Sequence, residues 1–399
     1  MKKSVALSLS VFAVLSANEM DEAFAAGKVG GNIRTVYVNQ NNALATDTDT
    51  TAIGGILKYE TAAGMDLKLG IGAYVSQKIG FASGRGDHLN YDLLSVENGS
   101  FAYIGEAYMD YTVFDVTLRA GRQSIDSPFA DTDDIRMVPN SFEAGMAIYR
   151  GIEKATLVGG YIKRWAGYDS GGDISTFKKL DADYETGVTG ESKGAVVLGV
   201  MNESIENLAL QGWFYGVDQV ADLYYADGTY TISFGERVGL EVSGQYAGFD
   251  EKAGSGIDGE VYGVGARFDA GTVSVGAAYN RGSNHEGKAA TNGFGGGPYM
   301  TSMEEMTIEG MNDAKAYQLS AQMDMGFVGI EGGTISAMFG DFKSTPSELR
   351  IQEIDMIATY ALDEAISADI SYARIEDKSN NGSADTGYNR FLARLSYNF

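Results

Sequence analysis

The chain alternates. Over stretches of roughly ten residues, apolar side chains occupy every second position with polar or small ones between them, and a turn follows. In Ala314–Met325, Tyr317, Leu319, Ala321, Met323 and Met325 alternate with Gln318, Ser320, Gln322 and Asp324. Arg237–Tyr246 repeats the pattern through Val238, Leu240 and Val242, and Gly271–Asn280 repeats it through Val273, Val275, Ala277 and Tyr279. A period of two places one set of side chains on each face of a pleated strand. Helical spacing shows only in Asn18–Ala26, a short acidic-then-apolar lead-in.

The pattern predicts eighteen strands, over 27–40, 51–63, 65–79, 101–113, 115–124, 143–151, 153–166, 193–202, 206–217, 219–233, 236–250, 257–269, 271–282, 313–325, 329–342, 349–361, 364–377 and 387–399. Their connections alternate in length. Tight ones fall at Ala63-Gly64, Phe114-Asp115, Asp269–Gly271 and Leu362-Asp363. Long polar ones, rich in Gly, Asp and Asn, fall near 80–100, 125–142, 167–192, 283–312 and 378–386. Pairs joined tightly at one end and loosely at the other describe an up-and-down antiparallel meander.

Any single strand of this kind suits a soluble sandwich, whose apolar face fills a core. Three features of the whole chain reverse that reading. The set opposite the apolar one is polar or tiny in nearly every strand, as a wet lumen requires. The 24 Tyr and 18 Phe include many near strand ends (Tyr37, Tyr59, Tyr103, Tyr111, Tyr161, Tyr246, Tyr279, Tyr372, Tyr397), as interfacial girdles do. The last strand, Arg390–Phe399, sets Phe391, Ala393, Leu395, Tyr397 and Phe399 on one face and Arg390, Leu392, Arg394, Ser396 and Asn398 on the other. A final amphipathic strand closing on Phe399 is the signal read by outer-membrane barrel assembly machinery. Hydrocarbon forbids open sheet edges, so the expected fold is all-β, a closed transmembrane antiparallel barrel of about eighteen strands with room for an aqueous channel.

Composition narrows the chemistry. With no Cys, disulfides, thiolate metal sites and cysteine nucleophiles are absent, and two histidines, His88 and His285, leave little for imidazole catalysis. A formal charge of −24, from 30 Lys+Arg against 54 Asp+Glu, opposes nucleic-acid binding. Lys2 and Lys3 precede the apolar run from Val5 to Ala17, which reads as a secretory signal peptide over 1–17 with cleavage after Ala17. A barrel domain over 18–399 follows. No later stretch approaches the ~20 apolar residues of a membrane-spanning helix.

One block resembles a known family. Arg119-Ala-Gly-Arg122-Gln123, then Pro128, then Asp133-Asp134-Ile-Arg136-Met-Val-Pro139-Asn-Ser-Phe142-Glu143 is similar to a Gly-Arg-Gln … Asp-x-Arg-(Met/Leu)-x-Pro-x-(Ser/Thr)-Phe-Glu block of the OprD-type outer-membrane porins, and Glu22–Arg34 resembles the start of the mature chain in that family. The resemblance implies an eighteen-stranded channel narrowed by an inward-folded loop. It also implies passage of small carboxylate-bearing solutes past a row of lumen arginines that faces acidic groups. By alternation the lumen arginines are Arg34, Arg119, Arg237, Arg267, Arg390 and Arg394. Arg122 and Arg136 flank the constriction loop, with Asp131, Asp133 and Asp134 beside them. Arginine suits this role because its fixed charge and planar fork hold a carboxylate bidentately. The competing structural role is pairing with neighbouring carboxylates to hold wall and loop in shape.

The expected function is passive diffusion of small hydrophilic solutes, without enzymatic activity or a cofactor. The acid excess predicts cation preference. Expected surroundings are outer-membrane lipid, lipopolysaccharide and the assembly machinery, and a homotrimer remains open. Asp47-Thr-Asp49 and Asp131-Thr-Asp-Asp134 lack calcium-loop spacing and read as solvated loops. Gly190-Glu-Ser192-Lys-Gly194 matches a nucleophile-elbow pattern without the strand-turn-helix context it needs. The alternative functions are a barrel enzyme, for which neither histidine has an obvious partner, and a plugged adhesin that conducts nothing.

Overall fold

The computed structural model describes residues 17–399 except 65, 98, 183–190, 236 and 380–385. The proposed signal segment therefore lies outside the described residues up to residue 16. A short helix, α1 (Ala17–Ala25), leads into eighteen strands. These are β1 (Lys28–Asn42), β2 (Thr48–Glu60), β3 (Leu67–Lys78), β4 (Phe101–Val113), β5 (Val116–Gln123), β6 (Ser141–Ile152), β7 (Ala155–Ala166), β8 (Ala195–Ile205) and β9 (Leu208–Val217). There follow β10 (Ala221–Ser233), β11 (Val238–Glu251), β12 (Gly259–Ala270), β13 (Val273–Ser283), β14 (Ala314–Asp324), β15 (Gly333–Ser344), β16 (Leu349–Ala361), β17 (Ile366–Asp377) and β18 (Tyr388–Asn398).

Every strand pairs antiparallel with its sequence neighbours, and β1 closes on β18 from Asn32↔Asn398 to Asn42↔Tyr388. Closure removes the edges that hydrocarbon does not tolerate. Phe399 completes the seam by exchanging two backbone hydrogen bonds with Gly31, each 3.1 Å long. The two-residue turns at 114–115, 153–154, 206–207 and 271–272 hold Phe114, Lys154, Asn207 and Gly271 at positive φ, the twist that two-residue hairpins require.

The outer wall carries the apolar set. Leu57, Ile71, Leu198, Val264, Leu319, Met356 and Leu395 are exposed there, as are the girdle tyrosines Tyr37, Tyr161, Tyr246, Tyr279, Tyr372 and Tyr397. Tyr103 departs from the girdle expectation. It faces inward against Tyr74, Phe101 and Phe177, because the register slips at Gly72/Ala73 opposite β4.

The lumen is not a bare tube. Loop 124–140 and loop 284–313 fold into it and pack on the wall. Phe129, fully buried, sits edge-on to Tyr215, Tyr225 and Phe249 at 5.6 to 5.9 Å between ring centroids. Phe294 meets Trp165 in the same manner, and the two loops join through a parallel bridge between Ala130 and Phe294. Burying such aromatics, each worth about 1.5–3 kcal/mol, is what holds polar loops inside a wet barrel.

Candidate pore constriction

The inward loops are fastened by ionic and backbone contacts. On one side, Arg34 of β1 grips Asp134 bidentately at 2.5 and 2.6 Å and donates to the Arg136 carbonyl. Arg394 of β18 pairs with Asp369 of β17 at 2.8 Å and reaches the Asp134 carbonyl. Arg390, almost fully buried, donates to Asp92 at 2.8 Å and forms an ion pair with Glu305 at 3.1 Å, so it ties loop 79–100 to loop 284–313. Arg136 lies 3.5 Å above the Tyr168 ring and 3.6 Å from Asp133. These arginines come from two neighbouring strands and one loop, so they form a cluster against a single arc of the wall.

Two strands further along the same wall, on β16, the lining is acidic. The fully buried Glu353 and Asp355 of β16 accept the backbone N–H groups of Glu304, Glu305 and Met306 at 2.8 to 3.2 Å. Asp131 plays a similar part by accepting from Gly296 and Gly297. The Asp131–Asp134 run is thus an anchored internal turn rather than the solvated loop its composition suggests. Gly295 and Gly297, at φ +149° and +79°, let the chain approach Asp131 and Asn292 where a Cβ would collide.

Two cavities meet at this level. The upper one, about 430 Å³, is lined by Asp133, Arg136, Asp169, Glu304, Glu305 and Glu309 among others. The lower one, about 340 Å³, is lined by Asp369, Arg390 and Arg394. Ile135 and Glu304 line both, so they stand where the two cavities adjoin, the candidate neck. Burial raises the Asp133 carboxyl to about 7, helped by repulsion from Asp169 and opposed by Arg136. Burial likewise raises Asp131, Glu305 and Glu309.

The remaining sequence candidates scatter. Arg119 pairs with Asp110 at 2.6 Å and covers the Tyr108 ring on the wall away from the neck. Arg122 donates to the Ile104 carbonyl and lies 4.3 Å over the Phe177 ring, and it lines neither cavity. Arg267 bonds Asp269 and Ser274 next to a tight turn. Arg237 is exposed in the turn before β11, where strand alternation no longer applies. His285 does have a partner, Asp258 at 2.5 Å, but among the described residues no hydrogen bond joins it to nearby Ser283. Gly190 of the elbow pattern lies outside the described residues, and the strand β8, not a helix, follows Gly194. Sequence reasoning missed Glu304, Glu305, Glu309 and Asp169. Their only sequence signal was the pair Glu304-Glu305 in the longest polar loop.

Solved structures share this architecture. Pseudomonas aeruginosa OccK9 (OpdG) matches with a TM-score of 0.80 at 18% identity, covering 94% of this chain and 100% of that one. Acinetobacter baumannii OccAB2 matches with a TM-score of 0.80 at 14% identity, covering 95% and 99%. Pseudomonas aeruginosa OpdK, crystallised with vanillate, matches at 0.77 and 16% identity, covering 94% and 99%. At these identities the likeness speaks for the fold alone. No curated protein sequence matches the chain. The sequence profile described as "outer membrane porin, OprD family" matches residues 24–397. A closed eighteen-stranded barrel with an apolar belt and loops folded into its lumen, matched over residues 24–397 by that profile, belongs to the OprD family of outer-membrane porins.

Proposed function

We propose that this porin is a cation-preferring diffusion channel whose arginines act first as clamps and second as a guide for carboxylate groups. The observation that carries the reading is the lining of the upper cavity, where five carboxylates (Asp133, Asp169, Glu304, Glu305, Glu309) stand against one guanidinium, Arg136. In a confined, partly desolvated passage such a field concentrates cations and repels anions. Arg34 and Arg394 are engaged by Asp134 and Asp369, which lie outside that lining, and Arg390, shared between Asp92 and Glu305, offsets only part of the field. The lower cavity is lined by Arg390 and Arg394 together with Glu304, a mix of charges that suits a small solute carrying both a cationic and a carboxylate group.

Liposome swelling tests this. With solutes of equal size, lysine is expected to enter faster than glutamate, and Glu304→Gln is expected to narrow the gap. Equal rates, or faster glutamate entry, would overturn the cation preference. Failure of any solute to enter liposomes that contain folded barrel would shift the reading to a plugged adhesin or enzyme.

A further inference from the structure

The outer wall carries a charge pattern that solute passage does not use. At the barrel end that bears the long loops, Arg281 of β13, Lys315 of β14, Lys343 of β15 and Arg350 of β16 form a row, each the direct cross-strand neighbour of the next. Lys378 extends the row, its backbone N–H bonding the Arg350 carbonyl at 2.8 Å, and Arg374 lies on the same face of β17. All six are exposed. They alternate with the buried Asn280, Ala316, Phe342, Ile351 and Ile375, which point inward, so the six stand on the outside of the barrel.

Like charges directly opposite on neighbouring strands repel. The wall answers only part of that repulsion. Asp341 is taken by Arg350, Tyr317 and Gln352. Glu376 is shared by Arg374 and Lys378. Among the described residues no ion pair or hydrogen bond engages the side chain of Arg281, Lys315 or Lys343, and Glu348 in the β15–β16 turn pairs with none of the six. This arc inverts the balance of a chain that has 30 Lys+Arg against 54 Asp+Glu. The neighbouring arc is acidic, with Asp250, Asp258 and Glu260 at the same end of β11 and β12, so the basic surface is one-sided.

Depth along the strands identifies the anion. Long loops mark the outward end of an outer-membrane barrel, so the row stands at the outer leaflet. Tyr279 and Tyr317, paired across β13 and β14, lie two residues below it, about 7 Å along the strand, at the level of the aromatic girdle. Lower still, about 20 Å below Lys315, Ala321 and Ala337 line an apolar concavity of about 620 Å³ together with Val273, Met323, Ile335 and Met356. A ligand that meets both features carries phosphate at the interface and an acyl chain in the hydrocarbon. Free phosphate would use only the first. We propose that this arc binds lipopolysaccharide, the phosphorylated glycolipid of the outer leaflet. Its phosphates are held by Arg281, Lys315 and Lys343 through charge-assisted hydrogen bonds, and an acyl chain lies in the concavity beneath.

The inference is independent of what the lumen conducts, and its test is a binding measurement. Refolded chain in uncharged detergent with EDTA is titrated with fluorescent lipopolysaccharide at about 0.1 M and about 0.5 M NaCl. The expected result is saturable binding that weakens at the higher salt and resists competition by inorganic phosphate. Lipopolysaccharide stripped of its phosphates is expected to bind at least tenfold more weakly. Arg281→Gln with Lys315→Gln and Lys343→Gln is expected to cost at least tenfold as well. Arg85→Gln with Lys163→Gln and Lys193→Gln removes the same charge from other exposed positions and is expected to leave binding unchanged. Heat-modifiable migration in gels verifies that each variant is folded. Should the first variant not fold, amine acetylation of the unaltered chain decides the matter, with bound lipid expected to protect Lys315 and Lys343 but not Lys163. Absence of binding, binding that survives the first variant or the loss of phosphates, displacement by inorganic phosphate, or equal binding of phosphatidylglycerol would overturn the proposal. Binding that appears only with added Ca²⁺ would overturn it too, since it would move the contact to the acidic arc.

Discussion

Asp133 is expected to make the charge of the pore depend on pH. Burial and the neighbouring Asp169 raise its carboxyl from an ordinary 3.8 to about 7. A raised carboxyl is neutral below that value and ionised above it, so the upper cavity gains a negative charge as pH rises through 7. With all groups ionised its lining carries five carboxylates against one guanidinium. A unit charge acting on a cation about 7 Å away contributes about 0.6 kcal/mol in bulk-like water and about 1.2 kcal/mol at half that dielectric constant. By the Boltzmann relation this corresponds to roughly a threefold to sevenfold change in cation occupancy at RT of about 0.59 kcal/mol. The assay is the reversal potential across a planar bilayer at pH 5.5, 7 and 8.5, in KCl near 0.1 M, where the screening length is about 10 Å. Cation preference is expected to rise by that factor between the first and last pH, centred near 7. Asp133→Asn is expected to remove the step. A flat profile in the unaltered chain, or the same step in the variant, would refute the assignment of the titration to Asp133.

Other expectations follow from the fastenings of the loops. Asp134→Ala frees a nearly buried Arg34. Because Asp134 itself is about a third exposed, the cost is expected to be about 1–3 kcal/mol, read as flickering conductance and earlier proteolysis of loop 124–140. Phe129→Ala empties the aromatic cluster at a cost of about 3–5 kcal/mol, and limited trypsin digestion is expected to cut that loop while the barrel stays heat-modifiable. Unchanged digestion would place the holding energy elsewhere. Deleting Phe399 removes two seam hydrogen bonds, and, on the proposal that this residue is the terminal assembly signal, the yield of folded barrel in the outer membrane is expected to fall severalfold.

The wall was legible because its chemistry is local. A lipid-facing strand must alternate, and alternation survives in any single sequence, so each of the eighteen strands lies where the period-two pattern puts it. The widest boundary difference is at β15, which begins at Gly333 rather than residue 329 because a turn containing Gly329 and Gly332 at positive φ intervenes. The interior was less legible because its contacts join distant parts of the chain. Arg390 meets Asp92 across 298 positions, and Asp131 meets Gly296 across 165, and no periodicity reports such pairs. Face and motif pointed to Arg34, Arg136, Arg390 and Arg394 and to Asp133 and Asp134 beside them, yet not to which carboxylate meets which arginine, nor to Asp92 and Glu305 at Arg390. Alternation also places Arg119 and Arg267 inward without telling how far along the barrel they sit. Tyr103 was misplaced for a related reason, since a bulge moves a side chain from one face to the other without any sign in composition.

The central claim is that this barrel encloses an open, acidic passage. Single-channel recording of the refolded chain under a KCl gradient tests it most directly. The account predicts discrete, stable conductance steps with a reversal potential on the potassium side. Folded, heat-modifiable barrel that gives no steps, or steps whose reversal potential lies on the chloride side, would contradict it.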